Sequence, residues 1–231
     1  MYFPYLRGRQ FELIALRELV ERKKIGQNII PIIEPIKPSA TLLKTLECFV
    51  KYDREIAVVF NPAVGDFSKK IREMRREDSK IANELYELLT KHDRIIKSYI
   101  MNDKIAAKLK KDEFKTEKLI INLNRDCLDD FLEAYEDTFP RYTLIPDDRA
   151  FRRVISESKV LFEDNFNKRL RNIDYIGHQD EFFSDSHLYF QKEDYVGFAD
   201  YSVVGEEFNE SGFAPVAVAI HLIYFNKNDE L

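Results

Sequence analysis

The sequence predicts an α/β fold of the (β/α)8 TIM-barrel-like type. Eight short apolar runs recur along the 231 residues, and amphipathic helical patterns lie between most of them. Nearly continuous apolar runs are typical of parallel strands that are buried on both faces. A count of about eight favours a closed barrel over an open doubly wound sheet, which is the alternative. We expect one domain over residues 1–231.

The first half of the chain alternates strand and helix in a regular order. The predicted elements are strand 2–7, helix 10–24, strand 28–36, a helix capped by Ser39, strand 55–61 and one or two helices over 67–92. Each predicted strand is a short aromatic or β-branched run, and each predicted helix carries apolar residues at helical spacing. Ser39 is a candidate cap because its hydroxyl can accept a hydrogen bond from a free backbone N–H.

The second half continues this order and then departs from it. The next predicted elements are strand 94–101, helix 103–111, strand 118–123, helix 127–135, strand 141–146, helix 150–157, strand 159–162 and strand 195–204. Residues 165–192 form a long loop, which we expect to be ordered because it is rich in aromatic residues. The weakly alternating apolar pattern of residues 214–225 predicts a last strand, and no helix is predicted after it. We therefore expect a barrel that is distorted, closed unusually or truncated at its C-terminus.

Composition excludes several classes of protein. The longest apolar runs fall short of the roughly 18 residues that a membrane-spanning helix needs. The N-terminus has neither the basic nor the apolar region of a secretory signal, so we expect a cytoplasmic protein without membrane contact. The two cysteines, Cys48 and Cys127, lie too far apart to indicate a disulfide framework or a metal site. The net charge of -5 argues against a broad nucleic-acid surface and leaves only a local basic patch open.

Polar residues follow nearly every predicted strand, at the end of the barrel where enzymes of this fold place their active sites. We predict Glu34 and Asp200 as catalytic residues. Glu34 interrupts an apolar run, where an unpaired carboxylate would cost several kcal/mol, so we expect Arg7 or Arg9 as its partner. Asp200 lies in a segment with small residues, which allow a ligand to approach closely. The predicted ligand-binding residues are Arg7, Arg9, Lys37, Asn61, Asp147, Glu163, Asn172 and Tyr201.

Structural alternatives stand beside each of these predictions. Glu34 is equally explained as half of an ion pair that closes the barrel end, and Asp200 as a turn-forming residue. His178 and His187 lie near acidic residues and could serve as acid, base or metal ligand, but no recognised ligand spacing appears, so we predict no metal. His221 lies in an apolar run and is expected to be a buried structural histidine. The basic residues at 168–171 fit phosphate binding less well than a solvated loop.

Several segments resemble one known family. They are Tyr2–Glu12, Ile30–Pro35, Asn61-Pro62 with Gly65-Asp66, Arg171–Tyr175 and Gly197–Tyr201. Over most of its length the chain resembles a poorly characterised bacterial family related to the phage-type "beta protein" family. The resemblance implies a barrel, a chain that continues beyond Leu231, and a gene in a mobile-element or phage-defence cassette beside a nuclease partner. It implies no activity and no cofactor.

Two functions from different classes follow. In the first, the barrel end binds an anionic ligand through Arg7 and Arg9, and any enzyme activity is hydrolysis of a phosphoester or a nucleotide-derived substrate with Glu34 and Asp200 as acid and base. In the second, the protein is a non-catalytic scaffold whose aromatic loop docks a partner protein. Convergence of two carboxylates and an arginine in an open pocket would favour the enzyme. Mutual neutralisation of Glu34 and an arginine under a covering loop would favour the scaffold.

Overall fold

A closed barrel of eight parallel strands forms the centre of the computed structural model, which describes residues 1–136, 138–177, 180–201 and 220–231. The strands are Tyr2–Leu6 (β1), Ile32–Ile33 (β2), Ile56–Val59 (β3), Ile95–Ile100 (β4), Leu119–Ile121 (β5), Tyr142–Ile145 (β6), Lys159–Glu163 (β7) and Gly197–Tyr201 (β8). Each strand pairs with the next in sequence, and β8 pairs with β1 to close the ring. The predicted (β/α)8 fold is therefore confirmed, and the open doubly wound sheet is wrong.

Helices connect the strands on the outside of the barrel. The α-helices are Gln10–Glu21 (α1), Ala40–Lys51 (α2), Phe67–Arg76 (α3), Lys80–Lys91 (α4), Asp103–Leu109 (α5), Leu128–Tyr135 (α6), Arg149–Val154 (α7) and Ser186–Tyr189 (α8). Ser39 caps α2, because its hydroxyl accepts a hydrogen bond of 3.1 Å from the Leu42 N–H. The charged stretch 67–92 contains two helices, since Asp78 has a positive φ of 53° that ends helical geometry after α3.

The two faces of the strands contribute to different parts of the apolar core: one face fills the barrel interior, and the other packs against the helices. Side chains of alternate residues fill the barrel interior, among them Phe3 and Tyr5 of β1, and Ala199 and Tyr201 of β8. The residues between them face outward and pack against the helices. Because side chains of a strand alternate between its faces, this pattern decides which polar residues enter the barrel.

Three expectations about single elements need correction. The predicted strand 28–36 contains a two-residue strand only, because Pro31 and Pro35 have no N–H to donate to a neighbouring strand. Residues 220–225 of the predicted strand 214–225 form no strand, since the ring already closes between β8 and β1 and leaves no edge, while residues 202–219 lie outside the described part of the chain. His221 is exposed and not buried.

Candidate functional site

Glu34 lies at the carboxyl end of the barrel and is fully buried. It follows β2, and its own backbone N–H donates a hydrogen bond of 2.8 Å to the Leu6 carbonyl of β1. Ile30 and Ile32, which share its parity, fill the barrel interior, so the Glu34 side chain extends the inward-facing row. The side chain is therefore held where barrel enzymes place catalytic groups.

Both carboxylate oxygens of Glu34 accept hydrogen bonds from the protein. Oε2 accepts from the Tyr5 hydroxyl at 2.7 Å and forms a salt bridge with Arg7 Nη1. Oε1 accepts from the backbone N–H groups of Ala63 at 2.6 Å and Val64 at 3.3 Å. One guanidinium, one phenol and two backbone amides thus converge on a single buried acid.

The segment 61–66 delivers those two amides because its own conformation is fixed. The Asn61 side chain donates to the Ile100 carbonyl at 2.8 Å and accepts from the Ile100 N–H at 2.9 Å. Gly65 has a φ of +68°, and a Cβ at this position would lie 2.4 Å from the Ile36 carbonyl oxygen. A glycine is required there on both counts. The loop after β3 therefore covers the loop after β2.

Aromatic rings surround the Arg7 guanidinium and fill the same end of the barrel. Its central carbon lies 5.4 Å from the Tyr5 ring centroid and 5.2 Å from that of Tyr201. The rings of Tyr5, Phe162 and Tyr201 contact each other at centroid distances of 4.9 to 5.2 Å. Burial and the Glu34 charge raise the pKa of Tyr5, so its hydroxyl remains a hydrogen-bond donor.

The chemistry of this cluster is that of a structural anchor. A general base needs a free lone pair within reach of a substrate proton, whereas the carboxylate of Glu34 is occupied by four protein donors. The cluster joins the ends of β1 and β2 to the segment after β3. Burial of both charges is tolerable because each is paired and hydrogen-bonded.

Asp200, the second predicted catalytic residue, is not part of this cluster. It alternates in β8 with Ala199 and Tyr201, which face the interior, so its side chain faces the outside of the barrel. Its Oδ1 accepts a hydrogen bond of 2.8 Å from the hydroxyl of Tyr2 on β1. Burial raises the pKa of Asp200 to about 6, although the hydrogen bond from Tyr2 acts in the opposite direction.

The predicted ligand-binding residues are spread over several surfaces. Arg7 and Tyr201 belong to the Glu34 cluster, and Asn61 holds the loop that covers it. Arg9 precedes α1, where its N–H donates to Glu12 at 2.8 Å. Lys37 is exposed.

Three more predicted residues belong to the segments at and after the ends of β6 and β7. Asp147 is exposed and forms a 2.8 Å salt bridge with Arg152. Glu163 is half-buried, and burial, followed by the negative charges of Asp147 and two further acids, raises its pKa. Asn172 is exposed in a short 3-10 helix. The structure does not bring these residues together with Glu34 in one pocket of the described chain.

The long loop and the last twelve residues form a second candidate site. We call the described parts of 165–192 and 220–231 the aromatic face. The two segments are joined by hydrogen bonds from Phe183 and Ser184 to the Leu231 carbonyl, at 2.8 and 3.1 Å, and from Tyr224 to Asp180, at 2.6 Å. They enclose a cleft of about 540 Å³. Its volume falls within the range of small-molecule and cofactor pockets.

Sequence reasoning missed several residues of the Glu34 cluster. Tyr5 and the amides of Ala63 and Val64 were not predicted to contact Glu34. The parity of β1 was an available signal for Tyr5, because Phe3, Tyr5 and Arg7 alternate and must share a face. No signal of this kind exists for backbone amides in a loop, since any residue supplies one.

Comparisons with known proteins give no match for this chain. No protein-family model, no curated protein and no solved structure matches the chain. Among the described residues, no three His, Cys, Asp or Glu side chains lie where they could together hold a metal ion. None of the described helices has the length and apolar character needed to cross a membrane. The functional conclusion therefore depends on the geometry of the two sites.

Proposed function

We propose that this protein is a non-catalytic binding subunit that docks a partner protein on its aromatic face. One observation carries the proposal. Of the eighteen large apolar side chains that are exposed in the described chain, eleven lie on the aromatic face. Leu170 is 100% exposed, Leu222 81% and Phe182 60%. Concentrated exposed apolar surface is typical of protein-interaction sites.

The contacts of the barrel end favour this function over hydrolysis. An anion-binding hydrolase would need Arg7 and Glu34 to face a substrate, and they contact each other instead. The side chain of the second acid, Asp200, faces the outside of the barrel, whereas that of Glu34 faces the interior. Arg7 and Glu34 neutralise each other, and the loop after β3 covers them. This arrangement is the one expected for a scaffold.

The charges around the cleft indicate the chemistry of the partner. Asp180, Glu181 and Glu230 line it, and Arg169 of the aromatic face pairs with Glu181. No lysine or arginine is found among the described lining residues of the cleft. A cleft that combines aromatic and aliphatic side chains with the carboxylates of Asp180 and Glu230 is complementary to an apolar segment that carries lysine or arginine. We therefore propose a basic, amphipathic segment of a partner protein as the occupant.

The resemblance to the "beta protein" family suggests a setting for this interaction. Its implied nuclease partner would be of the required kind, because nucleic-acid-binding proteins carry basic surfaces. We include a bacterial mobile-element or phage-defence module in the proposal on this ground.

A pair of synthetic peptides tests the proposal on the wild-type protein. The two amphipathic helices share the same leucine and phenylalanine positions, and their polar positions carry lysine in one and glutamate in the other. Fluorescence anisotropy should show binding of the lysine peptide at least about tenfold tighter than the glutamate peptide, with a difference that shrinks as salt is added. Equal affinities, or no binding of either peptide, would contradict the proposed partner chemistry.

Sedimentation velocity covers the alternative occupant, a second copy of this chain. The proposal expects a monomer over the concentrations used for the peptide titrations. A dimer that dissociates when Phe182 is replaced by Ser would reassign the aromatic face to self-association.

A further inference from the structure

A second cavity, of about 480 Å³, lies on the outside of the barrel where β1 meets β8. Its lining residues come from the first strands, from the loop around α8 and from the last residues of the chain: Met1, Tyr2, Asn28, Ile29, His187, Phe190, Phe198, Asp200, Ile223, Phe225 and Leu231. Most of this lining is apolar. We call this cavity the outer pocket. It adjoins the 540 Å³ cleft, with which it shares Ile223 and Leu231, and it has no lining residue in common with the Glu34 cluster.

Asp200 carries the one acidic side chain in the described lining of the outer pocket. The residue is 3% exposed, and only its Oδ1 accepts a hydrogen bond from the described residues, that of Tyr2. No lysine or arginine is among the described residues that line the pocket, and the Met1 ammonium, which does line it, donates to the Val196 carbonyl at 3.1 Å. A buried carboxylate without a paired cation is costly, and natural proteins usually provide one. Among the described side chains, Asp200 has only the Tyr2 hydroxyl as a hydrogen-bond partner.

Aromatic rings line the same pocket as this carboxylate. The rings of Tyr2 and Phe198 stack at a centroid distance of 4.9 Å, and Phe190 contacts Phe198 at 5.6 Å. His187 contacts the ring of Phe225 at 5.3 Å. Aromatic faces attract cations through their quadrupole, and cages of such rings bind organic ammonium groups.

His187 supplies a second polar group in the lining. Its Nε2 contacts the carbonyl oxygen of Asp229, which can only accept, so Nε2 is the donor of this contact. The other ring nitrogen, Nδ1, is buried and has no hydrogen-bond partner among the described residues. Asp200 and His187 both line the outer pocket.

We propose that the outer pocket binds a small organic cation, namely a primary amine on an aromatic or aliphatic body. The ammonium group pairs with the Asp200 carboxylate, and the body packs against the rings. An anion or a neutral hydrocarbon would leave the buried carboxylate uncompensated. This binding site goes beyond the docking of a partner protein and does not depend on it.

Two matched probes test the site. 2-Phenylethylamine and 2-phenylethanol have the same body and differ in the charged group. Isothermal titration at neutral pH should show binding of the amine and at least about tenfold weaker binding of the alcohol, because a charge-assisted hydrogen bond is stronger than a neutral one. Equal binding of both probes, or no binding of the amine, overturns the proposal.

A pair of variants assigns the selectivity to Asp200. Asp200→Asn keeps an acceptor for Tyr2 and removes the charge, and it should weaken amine binding by about 10- to 100-fold while alcohol binding stays within about twofold. Asp194→Asn removes the same charge at an exposed position before β8 and should change neither affinity. Full amine binding by Asp200→Asn overturns the proposal. The comparison of the two probes on the wild-type protein stands whether or not the variant folds.

Discussion

Arg7 and Glu34 form a buried salt bridge that joins the ends of β1 and β2, with 9% and 1% of their side chains exposed. The same carboxylate accepts two backbone amides from the segment after β3. Three neighbouring strands of the barrel are therefore tied together through one acid. This arrangement explains why a charged residue interrupts the apolar run of β2, and we infer from it a structural role for Glu34.

Glu34→Gln should destabilise the protein by about 3 kcal/mol, because it leaves the Arg7 guanidinium buried without a compensating charge. Urea unfolding followed by circular dichroism measures this loss. The double variant Arg7→Met/Glu34→Gln should be less destabilised than the sum of the two single variants. Glu87→Gln, which removes one partner of an exposed pair with Lys91, is the control and should show no measurable loss. Unchanged stability of Glu34→Gln would contradict the structural role.

Gly65→Ala should destabilise the loop that covers Glu34, since alanine is strained at a φ of +68° and its Cβ would overlap the Ile36 carbonyl. We expect a loss of about 1 to 3 kcal/mol. Hydrogen exchange should also become faster at the Ala63 and Val64 amides, which donate to Glu34. Gly26→Ala is the matched control, because no atom lies within 4 Å of the added Cβ. Equal effects of the two substitutions would show that the loop does not depend on Gly65.

Asp200 should make the stability of the protein depend on pH. Its pKa is raised from 3.8 to about 6 in the folded protein, so the folded state binds this proton more tightly than the unfolded state. The resulting stabilisation is complete below about pH 4 and is lost as the pH rises through about 6. The shift corresponds to about 3 kcal/mol at most. Asp200→Asn should therefore gain stability relative to the wild-type protein between pH 4 and pH 8.

Urea midpoints of both proteins at several pH values measure this difference. Glu12 and Glu163 also have raised pKa values, so the wild-type curve alone does not isolate Asp200. The difference between the variant and the wild-type protein does. A constant difference across the pH range would refute the assignment, and Asp194→Asn provides the control for a general change of net charge.

Much of the fold could be predicted from the sequence because its signals are local. Eight apolar runs separated by helices specify a parallel barrel, and the strand order follows the chain order. The extent of β2 was overestimated, since hydrophobicity gave a nine-residue run while Pro31 and Pro35 limited the hydrogen bonding. The run at 214–225 has a strand-like composition, but a closed ring has no edge to accept residues 220–225.

The candidate sites were less accessible to sequence reasoning, because they depend on which face of each strand enters the barrel. The need of Glu34 for a cationic partner follows from its apolar surroundings, and the structure pairs it with Arg7. The placement of Asp200 could not be read in the same way. Strands that are buried on both faces are apolar on both faces, so hydrophobicity does not distinguish inside from outside. The position of Asp200 at the end of a strand gave no information on its direction.

The most direct test of the proposed function compares variants of two phenylalanines that are equally exposed but lie on different surfaces of the protein. Phe182, on the aromatic face, is 60% exposed, and Phe114, outside it, is 59% exposed. Fluorescence anisotropy with the lysine peptide should show that Phe182→Ser weakens binding at least about tenfold, as loss of a central aromatic contact does, while Phe114→Ser binds as the wild-type protein does. Equal affinities of the two variants for the peptide would contradict docking at the aromatic face.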